Sequence, residues 1–75
     1  MVLKMTAHQL RLLRELEWQG GILIVRPEDG DAAYDQLVRR RYVCAEPAFD
    51  GRTRYEITML GRRALSRAVD LIPQP

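Results

Sequence analysis

The chain has 75 residues, one cysteine and a formal net charge of +2, which leaves room for one domain, excludes an internal disulfide framework and makes a core of apolar contacts alone only marginally stable. Hydrophobic residues at 47% and charged residues at 29% exclude a disordered chain, because enough apolar surface is present to offset the entropy of ordering. The longest apolar run, Ile22-Leu23-Ile24-Val25, falls far short of the roughly 18 residues of a membrane span; with a lone cysteine and no pairing of a basic stretch with an apolar signal core at the N-terminus, a cytoplasmic domain over residues 1–75, with 73–75 as a tail and dimerisation as a source of extra stability, is the expectation.

Thr6-Ala7-His8-Gln9 has the spacing of a capping box, and Met5 before it with Leu10 after it has that of a hydrophobic staple. Both signals start a first helix at the same point. Leu10, Leu12, Leu13 and Leu16 fall on one arc of that helix, with Arg11, Arg14 and Glu15 opposite. Gly20-Gly21 ends it, since glycine enters the left-handed region without a Cβ penalty. Ile22 to Val25, bounded by Gly21 and Pro27, reads as a buried strand. Arg26 to Gly30 turns the chain, and Gly30, Ala33, Tyr34, Leu37, Val38 and Arg41 recur at the spacing of a second helix that Asp29 or Asp31 caps; Pro27 also suits a first helical turn. Tyr42 to Glu46 and Thr53 to Thr58 form a hairpin around Asp50-Gly51, with Tyr55 and Ile57 facing inward and Arg54, Glu56 and Thr58 outward. Leu60, Ala64, Leu65, Ala68 and Leu71 mark a third helix, capped by Thr58 and stopped by Pro73. The expected class is α+β, in the order helix, strand, helix, hairpin, helix, with Ile22 to Val25 as third strand of a small sheet because two strands alone are marginal.

Charge is distributed unevenly along this order. Met1 to Val38 carries four basic and six acidic residues, whereas Arg39 to Pro75 carries eight and four. Eleven of the twelve basic residues are arginine, whose planar fork suits phosphate and carboxylate; arginine-biased codon usage in a GC-rich genome gives the same excess.

The segment Leu37-Val38-Arg39-Arg40-Arg41-Tyr42-Val43, an acidic glycine-bearing loop, and Tyr55-Glu56-Ile57-Thr58-Met59-Leu60-Gly61-Arg62-Arg63-Ala64-Leu65 resemble the distal half of the winged helix in the bacterial MarR and PadR regulator families. There a helix enters the wing through a Leu-x-x-x-x-Tyr-Val-type junction, and a Tyr-x-Ile-Thr-x-x-Gly-Arg-x-Ala-Leu-type segment leaves it. The likeness covers about half the chain and implies a compact winged helix-turn-helix-like domain. It is a reduced form, because Gly20 to Gly30 stands where the families place a further helix. Gly20-Gly21-Ile22, leading through a helix to the Tyr-x-Ile-Thr strand, is also similar to the small bacterial YjhX-like family, described as toxins.

The resemblance implies a wing, bearing Arg52, Thr53 and Arg54, that tracks a phosphate backbone or minor groove; pairing of its arginines with Asp50 and Glu56 on a solvated hairpin is the other reading. Gln36, Arg39 and Arg40 lie off the apolar stripe of the second helix, where a recognition helix presents side chains to bases or phosphates. Against this, Glu28, Asp29, Asp31 and Asp35 crowd the start of that helix and repel phosphate, although acids there also offset the helix dipole. Two functions follow: a DNA-binding regulator, dimeric in one version, whose partner is double-stranded DNA, or a protein-interaction module (toxin, phage-type inhibitor or adaptor) whose partner is a charged protein surface. Trp18 is expected to stack on Arg14, pack on Phe49 or meet a second subunit, while Tyr34 and Tyr55 fit core positions. One histidine, one serine and one cysteine on different elements, and no glycine-rich phosphate loop, argue against an enzyme, a metal site or a cofactor, and Cys44 carries no sign of a redox role.

Overall fold

The computed structural model describes residues 5–71, with side chains from Met5 to Arg67. Helix α1 (Ala7–Trp18) starts at the expected capping box: Thr6 Oγ1 accepts from the Gln9 amide at 3.1 Å, and the Thr6 amide donates to Gln9 Oε1 at 3.2 Å. Leu13 and Leu16 are fully buried on its inner face. The helix stops where Gly20 and Gly21 take φ of +86° and +91°, their amides donating to the carbonyls of Glu17 and Leu16, which closes carbonyls that a helix end leaves open.

Strand β1 (Ile22–Val25) lies at one edge of a three-stranded antiparallel sheet of order β1-β3-β2. The sequence suggests a buried strand; only Val25 is buried, Leu23 is half-buried, and Ile22 and Ile24 are 40% and 41% exposed. The helices cover only one face of this sheet, so the two-residue period of a strand turns alternate isoleucines to the open side. A single 3-10 turn, Pro27–Asp29, leads into helix α2 (Ala32–Arg39). Of the two candidate caps, Asp31 is used: its Oδ1 accepts from the Ala33 amide at 2.9 Å. Ala33, Tyr34 and Leu37 point inward, while Gly30 and Arg41, expected on the helical stripe, lie outside the helix.

Strands β2 (Val43–Pro47) and β3 (Thr53–Ile57) form the hairpin, with Val43 paired to Ile57 and Pro47 to Thr53. At its tip both Asp50 (φ +53°) and Gly51 (φ +71°) adopt left-handed backbone. Pro47 is tolerated because β2 is the other edge strand, where a missing donor breaks no ladder. Helix α3 (Met59–Leu71) is capped as expected, Thr58 Oγ1 accepting from the Gly61 amide at 3.0 Å and donating to the Arg41 carbonyl at 2.6 Å. Ala64 is buried and Leu65 half-buried, but Leu60 is 46% exposed and off the core. The expected positions Ala68, Leu71 and Pro73 lie outside the described side chains.

Leu13, Leu16, Val25, Tyr34, Leu37, Val43, Tyr55 and Ile57 form one core between α1, α2 and the sheet. Each such side chain contributes about 1.5–3 kcal/mol relative to exposure. Tyr34 and Tyr55 stack in it with centroids 4.5 Å apart and planes inclined by 14°, and burial raises both phenols above their usual value of 10.0. The result is a compact winged helix-turn-helix-like α+β architecture. No helix among the described residues is long and apolar enough to cross a membrane.

Candidate nucleic-acid interface

The outward face of α2 is a stripe at helical spacing: Ala32, Asp35, Gln36, Arg39 and Arg40, all exposed. At its acidic end one carboxylate is matched by an arginine and a second is engaged by neighbouring donors. Asp29 receives the Arg26 Nε at 2.7 Å. Asp31 holds the Ala33 amide and, at 2.7 Å, the Nε2 of His8 from the start of α1. Those two contacts, the backbone amide first and then the histidine, hold the Asp31 carboxyl below its ordinary 3.8. Glu28 and Asp35 are left to face solvent without an ion pair among the described residues. His8, expected to be merely exposed, is thus tied to the α2 cap.

Because the Asp31 pKa is depressed in the fold, its stabilising effect is complete above 3.8 and disappears as pH falls through the lower native value. Asp31→Asn keeps a capping side chain but has no charge to lose. Thermal melts between about pH 2.5 and 5 should therefore show a steeper acid loss for the native chain than for the variant; parallel curves would refute this.

Gln36 does not stand free. The Nε2 of Gln9, a 4% exposed side chain on α1, donates to its Oε1. With its carbonyl engaged, Gln36 presents chiefly its amide donors outward, which suits phosphate or guanine acceptors better than the paired donor and acceptor of adenine.

The wing is more closed than its arginines imply. Arg54 lies between Glu46 at 2.6 Å and Glu56 at 3.0 Å, on the outer face of the sheet. Its charge is already matched. Arg52 is half-buried with its guanidinium 5.1 Å from the centre of the Phe49 ring rather than on Asp50, and Thr53 beside it is half-buried. Wing tip and α2 end also lie at opposite ends of the hairpin. Four residue steps separate Val43, next to Arg41-Tyr42, from Pro47, next to the tip, or about 13 Å at strand rise. Arg39 and Arg40 therefore do not converge with Arg52, Thr53 and Arg54 on one point.

What the structure adds is Arg41. It follows α2 with φ of +64°, its amide bonded to the Val38 carbonyl and the next amide, of Tyr42, to that of Leu37. Glycine is the usual occupant of this closing position, because an L side chain there meets its own backbone. Arg39, Arg40 and Arg41 are consecutive and exposed, and no carboxylate among the described residues pairs with them. The unbroken run of three arginines was the available sequence signal; the helical spacing that assigned Arg41 to the inner stripe concealed it.

Trp18 is 87% exposed, so it does not serve the core. At 100° per residue it lies opposite Gln9, Leu13 and Leu16. His8, Cys44 and Ser66 stand on three separate elements, and no group of three or more metal-ligating side chains occurs among the described residues. No family model matches the chain, and no curated protein or solved structure is significantly similar to it.

Proposed function

We propose that the chain is a DNA-binding winged-helix protein, a small transcriptional regulator in the manner of the MarR and PadR families, that grips duplex DNA through the outward face and C-terminal end of α2. The observation that carries this reading is the run Arg39-Arg40-Arg41, exposed and without carboxylate partners among the described residues. Its last member occupies a backbone conformation that glycine would adopt at lower cost. A non-glycine residue in that conformation is uncommon and motivates asking what its side chain does. Arg52 at the wing tip is a secondary contact, and Arg54, already neutralised, contributes little.

Each guanidinium that neutralises a phosphate releases a counterion, so three contacts give a slope of log affinity against log salt near −2.7. Fluorescence anisotropy with a labelled random duplex at low salt is the test. Arg39→Ala and Arg40→Ala should each reduce the slope by about one unit, whereas Arg54→Ala should leave affinity within roughly threefold. No binding at micromolar protein would sink the proposal.

Arg41→Gly separates fold from function. It removes about 1–2 kcal/mol of left-handed strain and adds chain entropy to the unfolded state, for a net gain of roughly 0.5–1 kcal/mol. The variant should melt several degrees higher and bind the duplex more weakly. A lower melting point, or unchanged binding, would contradict the role assigned to Arg41.

The second reading, a module that docks on a charged protein, is favoured by the alternating row Glu46, Arg54, Glu56 on the open sheet face, whose carboxylates would repel phosphate. Anisotropy that stays flat with the duplex, together with stoichiometric recovery of one host protein that nuclease does not disturb, would support this reading over DNA.

A further inference from the structure

Among the described residues, Gln9 is the one amide or charged side chain in the interior, 4% exposed. The capping box uses only its oxygen: the Thr6 amide donates to Gln9 Oε1 at 3.2 Å. A backbone N–H can only donate, so the atom it meets is the carbonyl, and the other arm of the Gln9 amide is its NH2 group. A buried NH2 group needs an acceptor. It finds one in Oε1 of Gln36, 27 residues away on α2. Because Gln9 has only donors left to offer there, Gln36 has to turn its own oxygen inward. Two amide orientations are thus settled in turn, from Thr6 to Gln9 and from Gln9 to Gln36.

Gln36 is exposed, and with Oε1 held against α1 it is the NH2 group that faces outward. The usual contact of glutamine with adenine is bidentate, its oxygen accepting from N6–H and its nitrogen donating to N7. That contact requires the oxygen that Gln9 holds. Two N–H donors suit two adjacent acceptors instead, and in the major groove only guanine presents such a pair, O6 and N7. Thymine has one acceptor beside a methyl group, and cytosine presents a donor. Along α2 the side chain precedes the arginine run, and base contacts gather towards the N-terminal part of a helix laid in the groove.

We propose that Gln36 selects a guanine in the major groove, and that Gln9 is the positioning residue that makes the choice guanine rather than adenine. The inference rests on the DNA reading above and adds to it a base, a direction of hydrogen bonding and a second residue that never meets the duplex. The arginines set how tightly the chain holds any duplex. The glutamine pair sets which duplex it prefers.

Selection from a randomised duplex library at low salt, followed by anisotropy with the selected duplex and its single-base replacements, tests this. Guanine should be enriched at one position, and changing that G·C pair to A·T should weaken binding about fivefold or more. Replacing the guanine by 7-deazaguanine, which removes the N7 acceptor but keeps charge and pairing, should weaken it about threefold. Gln36→Ala should erase the preference at that position and leave the salt slope unchanged, since the lost side chain carries no charge. Gln9→Glu keeps the capping acceptor for Thr6 but puts a second acceptor where the NH2 group was. The Gln36 amide then turns over and presents its oxygen outward, so the ratio of guanine to adenine affinity should fall about fivefold or more, whatever the absolute affinity. Circular dichroism confirms that both variants fold. Adenine selected by the native chain, or a preference that survives Gln36→Ala or Gln9→Glu, would overturn the proposal. A bound pool without base enrichment would overturn it and leave the DNA reading standing, whereas no binding to any duplex would overturn both.

Discussion

Gly61→Ala should lower the melting temperature by about 10–20 °C, although alanine is the better helix former. A Cβ at residue 61 would collide with the Tyr42 carbonyl oxygen and lie 2.9 Å from Ile57 Cγ1 and 3.0 Å from the Tyr42 carbonyl carbon. Helix propensity favours alanine by about 1 kcal/mol. Overpacking costs about 1–3 kcal/mol where neighbours yield, and more where they do not. Here the obstacle is backbone: the Tyr42 carbonyl accepts from the Thr58 amide, and the adjoining Arg41 carbonyl accepts from Thr58 Oγ1. The corner cannot retreat without giving up the α3 cap. A net loss of about 3 kcal/mol follows, out of the roughly 4–11 kcal/mol expected of a chain this size, and each kcal/mol moves the midpoint of a small domain by about 4–8 °C. Gly20→Ala is the control, because nothing lies within 4 Å of its Cβ and only its positive φ resists substitution. A Gly61→Ala melt within about 3 °C of the native chain would show that α3 does not seat tightly on the 41–42 corner.

Leu37→Ala should remove about 2–5 kcal/mol, a large share of the whole. Leu37 is fully buried on α2 within the same core as Leu13 and Leu16 of α1, and a chain this short has few other apolar contacts to collapse into the vacancy. Urea titration should show a much lower midpoint with the slope of the transition unchanged. Leu60→Ala is the informative comparison, since helical spacing put Leu60 on the apolar stripe of α3 and the fold leaves it 46% exposed. Its substitution should change stability by only about 0.5 kcal/mol. Equal losses at both positions would mean that Leu60 belongs to the core as much as Leu37 does.

That contrast marks the limit of periodicity as a guide. Spacing identified the inward face of α1 and the alternation of β3 because those elements repeat their geometry from residue to residue. It misassigned Leu60 and Arg41 because each lies at an element end, where the chain leaves the helical path and the projection no longer holds. Ile22 and Ile24 were misread for another reason. A short apolar run looks the same in a strand covered on both faces and in an edge strand covered on one, and only the count of layers distinguishes them.

Of the candidate site, residue type and surface position were legible, but availability was not. Gln36, Arg39, Arg40, Arg52, Thr53 and Arg54 all lie at or near the surface, as their place off the apolar stripes implies. Whether each can reach a partner depends on which groups already hold it. Gln36 is engaged by Gln9 from 27 residues away, Asp31 by His8 from 23 and Arg62 by Glu17 from 45. Arg54 is claimed by Glu46 across the strand pair and by Glu56 two residues along its own strand.

The most sharply legible features rest on residues a few positions apart: the Thr6 and Gln9 capping box, the Gly20-Gly21 stop and the Thr58 cap. Local backbone geometry is enough to specify them, because the donors and acceptors involved are close neighbours in the chain. The state of each charge belongs to a different scale. Coulomb and hydrogen-bond energies fall off over a few ångströms of space, whatever the separation in sequence, so the free arginine run at the end of α2 and the neutralised arginine on the wing became distinguishable only once the helices and sheet had been packed against one another.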